Sequence, residues 1–413
     1  MIKNWFGSMF RVAATELRKV FNDVGTLVFF FAVPLLYPLL YAYLYSGEVV
    51  REVPVVAVDE CRSEVSREFL RKSDGTPDLK IISYCSDIEE ARELIRRHKA
   101  YGLIHVPREF SKKLVDGAQA TVNLYCDMSG LLYYKSLLSG CSQVSLSMNR
   151  DIKYMRLSGL SDREKSTTAM PIEYEYVPMF NPQNGFCSFL IPAVLVMIIQ
   201  QTLVLGISLL VGTETEHRRK GKKELTRDYT NPLAVLVGKG LCYFCIYTAI
   251  CMYLLCIVPM LFHLPQLWKP FDLVLFVIPM LLACIFFAIS ISFFVRDRES
   301  CFLLFVFISV PLLFMSGISW PASNIPAFWK YLSYLFPSTF AVNGFVRISS
   351  MGAGLAEVSR EYLALWIHTG IYFMTSLLIY IRLYRSEYMP GFVTMMHTKG
   401  SDALEKFKKQ FEH

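Results

Sequence analysis

The sequence predicts an α-helical polytopic membrane protein of six transmembrane helices with an inserted α/β domain. Three observations predict it. First, the 413 residues are 54% hydrophobic and only 19% charged, where soluble domains run at about 45–50% and about 25%. Second, the charge is unevenly spread, with residues 46–180 holding 39 of the 77 charged side chains. Third, that polar stretch alternates short β-branched runs with helical patterns, while its flanks break into uncharged runs of about 20 residues, enough to cross a hydrocarbon core of ~30 Å. The net charge of +7 does not indicate a nucleic-acid partner, because residues 46–180 carry 19 Lys and Arg against 20 Asp and Glu. The basic excess lies beside the spans and reads as topology.

Residues 1–23 interleave bases with aromatics (Lys3, Trp5, Phe6, Phe10, Arg11, Arg18, Lys19), the composition of an interfacial helix lying on a bilayer. Residues 24–45 form the first span. The run is too long for the h-region of a cleaved signal, about 7–15 residues, and Tyr43-Leu44-Tyr45 is not a small-residue cleavage site. Further spans are expected at 185–212, 233–262, 273–295, 301–318 and 361–384, with a tail at 385–413. An even number places both termini on one side. The short segments on that side hold nineteen Lys and Arg against four on the other. By the positive-inside rule the termini are cytoplasmic and residues 46–180 extracytoplasmic.

Within 46–180, strands are expected at Val53–Asp59, Leu79–Tyr84, Tyr101–Val106 and Thr121–Asp127. Helices should follow at Ser63–Lys72 and from Asp87 to about His98, the latter opened by a capping box of Asp87 and Glu90. Strands separated by helices imply a largely parallel sheet, and a longer helix is expected over 129–158. Cys61, Cys85, Cys126 and Cys141 lie in a compartment where disulfides persist. Four cysteines allow three pairings, which the sequence does not choose between, and small buried hydrophobes are an equal reading.

Chemistry of a catalytic kind is not expected. No phosphate-binding loop GxxxxGK[ST], HExxH or GxSxG occurs, and the seven histidines are scattered, so neither an enzyme nor a metal or cofactor site is predicted in this chain. Ionisable candidates within spans reduce to Lys239, read as a snorkelling anchor, and His368, read as a packed histidine. Gln200 and Gln201 in the second span are candidates for a helix interface or a substrate path. Energy for any transport would then come from another polypeptide.

Two segments stand out between spans. Residues 213–232 open with Glu214 and Glu216 and then stack Arg218, Arg219, Lys220, Lys222 and Lys223, which suits a short helix with acids first and bases last. It is either a docking element or a loop held by anionic membrane lipids. Residues 319–360 are apolar and aromatic yet broken by Pro321, Pro326 and Pro337 into pieces of about ten residues, too short to span. Trp320, Trp329, Tyr331 and Tyr334 fit headgroup-level anchors, and two short outward-facing helices are expected.

Taken with Asn181-Pro182, Pro192, Gln200-Gln201, the stretch Glu214-x-Glu216-x-Arg218-x-x-Gly221-x-x-Glu224-Leu225, and Ser316-Gly317-Ile318-x-x-Pro321 followed by Asn324-Ile325-Pro326 and Phe336-Pro337, the order of parts resembles the permease subunits of the ABC type-2 exporter family. The closest likeness is to the bacterial branch with a large extracytoplasmic domain between spans one and two. The resemblance covers essentially 1–385. Gly221-Lys222-Lys223 departs from the Gly-Thr common in the family. The resemblance implies an inner-membrane permease that pairs with a second copy or a sister permease and takes its energy from a cytoplasmic ATPase subunit, which binds the ATP and Mg. It makes Glu214, Glu216, Arg218, Gly221 and Lys222 the ATPase-coupling residues, Gly317, Pro321, Pro326 and Pro337 the outer gate, and spans two and five the dimer seam. A periplasmic membrane-fusion adaptor is a further expected partner. The aromatic, apolar spans favour an amphiphilic, drug-like or lipid-like cargo. The alternative is a membrane-anchored scaffold recruiting a periplasmic partner through its α/β domain.

Overall fold

The computed structural model describes residues 2–157, 178–182, 184–219, 231–317, 320–321 and 323–388. The chain divides into two compact units, residues 1–46 with 179–413, and residues 47–178.

The first unit is helical. Helix α1 (Ile2–Asn22) precedes α2 (Val24–Leu44), and Asp23 between them leaves helical geometry at φ −98° and ψ 107°. The Asp23 carboxylate accepts the free N–H groups of Gly25 and Thr26 and so starts α2 as an N-cap. Both α2 and α8 (Pro232–Leu261) contain a π-turn, at Val28–Ala32 and Tyr253–Ile257. With α7 (Phe186–Arg219), α9 (Pro270–Ser292) and α13 (Ser359–Tyr388), these are the five helices long and apolar enough to cross a membrane among the described residues. The expected fifth span is α10, Ser300–Met315. Its 16 residues give ~24 Å of rise, short of a full core thickness, because Gly317 at φ +84° ends it. A left-handed backbone there suits glycine alone among common residues. The two short helices expected next are α11 (Ala327–Ser333) and α12 (Pro337–Met351). The second is longer than about ten residues because Pro337 sits at its first turn, where a missing N–H costs nothing, and starts the helix rather than breaking it.

Helix α7 lies at the centre, buried at every residue from Ile191 to Gly212. A helix apolar on all sides is satisfied inside a protein core or against lipid, and α7 takes the first. Within the single chain span two has no exposed face over that stretch, whereas α10 exposes Phe302, Leu303, Val306, Phe307 and Phe314.

The second unit is the α/β insert. Strands β1 (Val53–Asp59), β2 (Leu79–Tyr84), β3 (Gly102–Val106) and β4 (Asn123–Cys126) form one sheet in the order β2-β1-β3-β4. β1 pairs in parallel with β2 and β3, and β3 pairs antiparallel with β4. The crossovers are α3 (Glu64–Asp74) and α4 (Ile88–Arg96). The last connection carries only α5 (Phe110–Val115). Six helical residues rise ~9 Å, too little to carry the chain back along a strand of ~17 Å, so β4 returns beside β3. Asp87 caps α4 by accepting the Glu90 N–H at 2.8 Å, while Glu90 accepts from the N–H and hydroxyl of Ser86, one residue earlier than a capping box requires.

One sheet face, with Val53, Val55, Ala57, Leu79, Ile104 and Val106, packs under α3, α5 and the long helix α6 (Leu131–Arg156). The other, with Val56, Val58 and Leu103, is covered by α4. The four cysteines of this unit are free thiols, with Cys85 and Cys141 buried and Cys61 and Cys126 half-buried. Cys85 lies in the α4-side cluster, whereas Cys61, Cys126 and Cys141 belong to the opposite one. Burial pushes the Cys141 thiol up to about 12, with a hydrogen bond to Ser73 opposing it. Since the thiolate is the reactive species, Cys141 should react with maleimide at least about a hundredfold more slowly than a solvent thiol at pH 8. Mass-resolved labelling before and after denaturation measures this.

Candidate functional site

The charged end of α7 is where the predicted coupling residues meet the rest of the membrane unit. The helix does not stop at the apolar limit near Gly212 but runs on through Thr213–Arg219 as a continuation of the span. Thr213 and Thr215 donate their hydroxyls to the carbonyls of Leu209 and Val211. His217, Arg218 and Arg219 occupy the last turn, where positive charge is favoured by the helix dipole. Of the expected short helix over 213–232, the described part, Thr213–Arg219, is the last two turns of the second span, and residues 220–230 lie outside the described residues.

Glu214 faces inward. Its Oε1 accepts from Lys19 Nζ of α1 at 2.7 Å, and its two oxygens lie 3.0 and 3.1 Å from Lys239 Nζ of α8. Lys239 also lies 3.3 Å from Glu16 Oε1 of α1, and Tyr243 donates its hydroxyl to that same oxygen. The Lys239 side chain is 2% exposed and that of Glu16 0%. Lys239 therefore does not snorkel to the interface as expected. It is a buried counter-ion, shared by two carboxylates. Two acids and two bases from three helices make the cluster neutral, and that neutrality is what permits its burial.

The sequence places these groups by simple periodicity. On α1 the buried positions are Ser8, Met9, Val12, Glu16 and Val20, one helical face. On α8, Lys239, Tyr243 and Tyr247 recur every four residues. Tyr247 donates to Thr202 of α7 at 3.0 Å, and the ring of Phe30 from α2 meets Tyr243 and Tyr247 edge-on at 5.8 and 5.3 Å. Between them Gly238 lets α1 approach, since a Cβ there would lie 2.7 Å from the Met9 carbonyl oxygen. Sequence reasoning missed Glu16. The available signal was an acid on the apolar face of an amphipathic helix, matched by a base inside a span.

Beside this cluster, Glu216 Oε1 accepts the Arg298 N–H at 2.8 Å, and Arg298 Nη2 donates to Asp23 at 2.6 Å. Arg219 pairs with Asp297 at 3.0 Å at the surface. Arg218 is half-buried. Gly221 and Lys222 lie outside the described residues.

The other predicted site residues are not gathered into one place. Gly317 ends α10, Pro321 and Pro326 are exposed with Pro326 preceding α11, and Pro337 is buried at the start of α12. Gln200 is fully buried, accepting a weak bond from the Cys284 thiol of α9 at 3.8 Å. Its Nε2 and both amide atoms of Gln201 have no hydrogen-bond partner among the described residues. His368 meets the Tyr334 carbonyl at 2.9 Å and rests on Phe340 and Tyr372.

A spanning bundle with a charged, helix-borne end and an inserted α/β unit defines a polytopic membrane protein. The model of the ABC-2 family transporter proteins matches residues 24–378, and the chain belongs to that family. No curated protein matches it. Membership makes the chain a transporter permease, and permeases of this family work in general with an ATPase partner and as dimers.

Proposed function

We propose that the chain is the permease subunit of an ATP-binding cassette exporter in a bacterial inner membrane, moving an amphiphilic, drug-like or lipid-like substrate outward with energy from a separate ATPase. Both termini and the charged end of α7 face the cytoplasm, and residues 46–180 face outward. One observation carries the reading: α7 is unbroken from Phe186 to Arg219, so a push on its charged end is delivered to the central, fully buried span. Glu214 and Glu216 tie the charged end of α7 to α1, α8 and the turn before α10, and Arg218, Arg219 and Lys222, with Gly221 among them, add the positive charge that meets the ATPase. Gln200 and Gln201, buried inside the bundle of one chain, mark a substrate path or helix interface, a second permease copy or a sister chain completes the transporter, and the region from Gly317 to Pro337 forms its outer gate.

Co-purification with the candidate ATPase tests this. The expected result is a complex with two of each subunit that turns over ATP, weakened about tenfold or more by Arg218→Glu with Arg219→Glu, since like charges at a docking surface repel. Hydrolysis of ATP by the purified permease alone, or no complex with any ATPase, would overturn it.

A second reading draws on β2, an edge strand that exposes Ile82 and Tyr84. Exposed apolar residues on an edge suit recruitment of an outer partner such as a membrane-fusion adaptor. Deletion of 51–175 that abolished such an interaction and left ATPase stimulation intact would favour this scaffold role.

A further inference from the structure

We infer that α1, α8 and the charged end of α7 move as one rigid unit, and that Glu16 and Lys239 are positioning residues that hold it together. The inference rests on the coupling role proposed for α7. Any displacement of Glu214 acts at once on Lys19 of α1 and Lys239 of α8, both within hydrogen-bond distance of it. Lys239 is only 2% exposed, and Glu16 is wholly buried with Lys239 and Tyr243 on one oxygen and no partner for the other among the described residues. Sliding α1 away from α8 would leave a carboxylate and an ammonium facing apolar side chains, a far worse state than moving the helices together. The packing allows no slack either, because the Met9 carbonyl sits against Gly238, while Val12 and Val235 share one buried cluster.

The joint lies elsewhere. Asp23 is the non-helical residue between α1 and α2, and its carboxylate is held by Arg298 from the turn between α9 and α10. Rotation at Asp23 would let the rigid unit shift against the first span without disturbing the buried charges. In this arrangement α1 is a working part of the coupling apparatus rather than a passive bilayer anchor.

The experiment is pulsed electron resonance on the reconstituted permease–ATPase complex. Gadolinium labels go on unnatural amino acids at the exposed positions Ala14, Leu36 and Met252, with the labelled chain diluted in unlabelled, and the nucleotide-free and ADP-vanadate states are compared. The 14–252 distance should stay constant within ~1–2 Å while the 14–36 distance changes by ~5 Å. Glu16→Gln should make the 14–252 distance nucleotide-dependent, and Tyr243→Phe, which keeps the ring volume, should do so to a lesser degree. A 14–252 change as large as the 14–36 change would overturn the rigid unit, as would a 14–36 distance that never changes or a Glu16→Gln chain that behaves as the native one. If the native permease binds no ATPase, the coupling role of α7 falls first and the inference falls with it. If it binds and these distances disagree, only the inference falls.

Discussion

Lys239→Met is expected to destabilise the membrane unit by about 3–5 kcal/mol, more than any single apolar truncation on the same helix. Methionine fills a similar volume, so the loss is electrostatic. Glu16, 0% exposed, and Glu214, 18% exposed, would face each other with only Lys19 to balance them. In detergent this should lower the midpoint of thermal unfolding by roughly 10 °C for a unit of this size. The double variant Lys239→Met with Glu16→Gln removes a buried pair, leaves Glu214 with Lys19, and should recover at least about half of the loss. Equal destabilisation by the single and double variants would mean that the cluster is held by packing and not by charge.

Val55→Asp should unfold the α/β unit. Val55 is fully buried in the central strand β1, beside Ile81 of β2 and Gly102 of β3. A carboxylate there has no counter-ion in the apolar cluster formed with Ala57, Leu79 and Ile104. The expected cost exceeds about 4 kcal/mol, a large fraction of what a domain of this size holds. Limited trypsin digestion of the full chain reads it out, with cleavage within 51–157 at least about a hundredfold faster than in the native protein. Val55→Ala should cost only about 1–3 kcal/mol and leave the digestion pattern unchanged. A Val55→Asp chain as resistant as the native one would contradict the burial of β1.

The spans and strands were legible because each rests on a local pattern. Uncharged runs of adequate length located α2, α7, α8, α9 and α13, although α7 continues seven residues beyond its apolar run to Arg219. β-Branched runs bounded by caps gave β1 and β2 residue for residue. What escaped was set by tertiary pairing. The direction of β4 depended on how far α5 could carry the chain, which composition does not encode. Lys239 looked like a membrane anchor because its partners, Glu16 and Glu214, lie 223 and 25 positions away along the chain. The same pairing turns Glu214 from a surface residue into an internal one. Its acidic type had suggested contact with another subunit. Arg218 lies half-buried in the last turn of α7, and Gly221 and Lys222 lie outside the described residues.

The points where the chain leaves and re-enters the membrane unit are neighbours. The ring of Tyr45, at the end of α2, lies 5.3 Å from that of Phe186, at the start of α7, and the Cys187 thiol reaches the carbonyl of Ala42. To the bundle, the 132-residue insert is a closed loop, and the entropy of closing a loop grows only with the logarithm of its length. Lineages could exchange this segment, shorten it to a hairpin or replace it with another fold while the helices keep their packing. Its surface is then free to diversify at a pace of its own, and a graft at these two anchors is a practical route to a chimaeric permease.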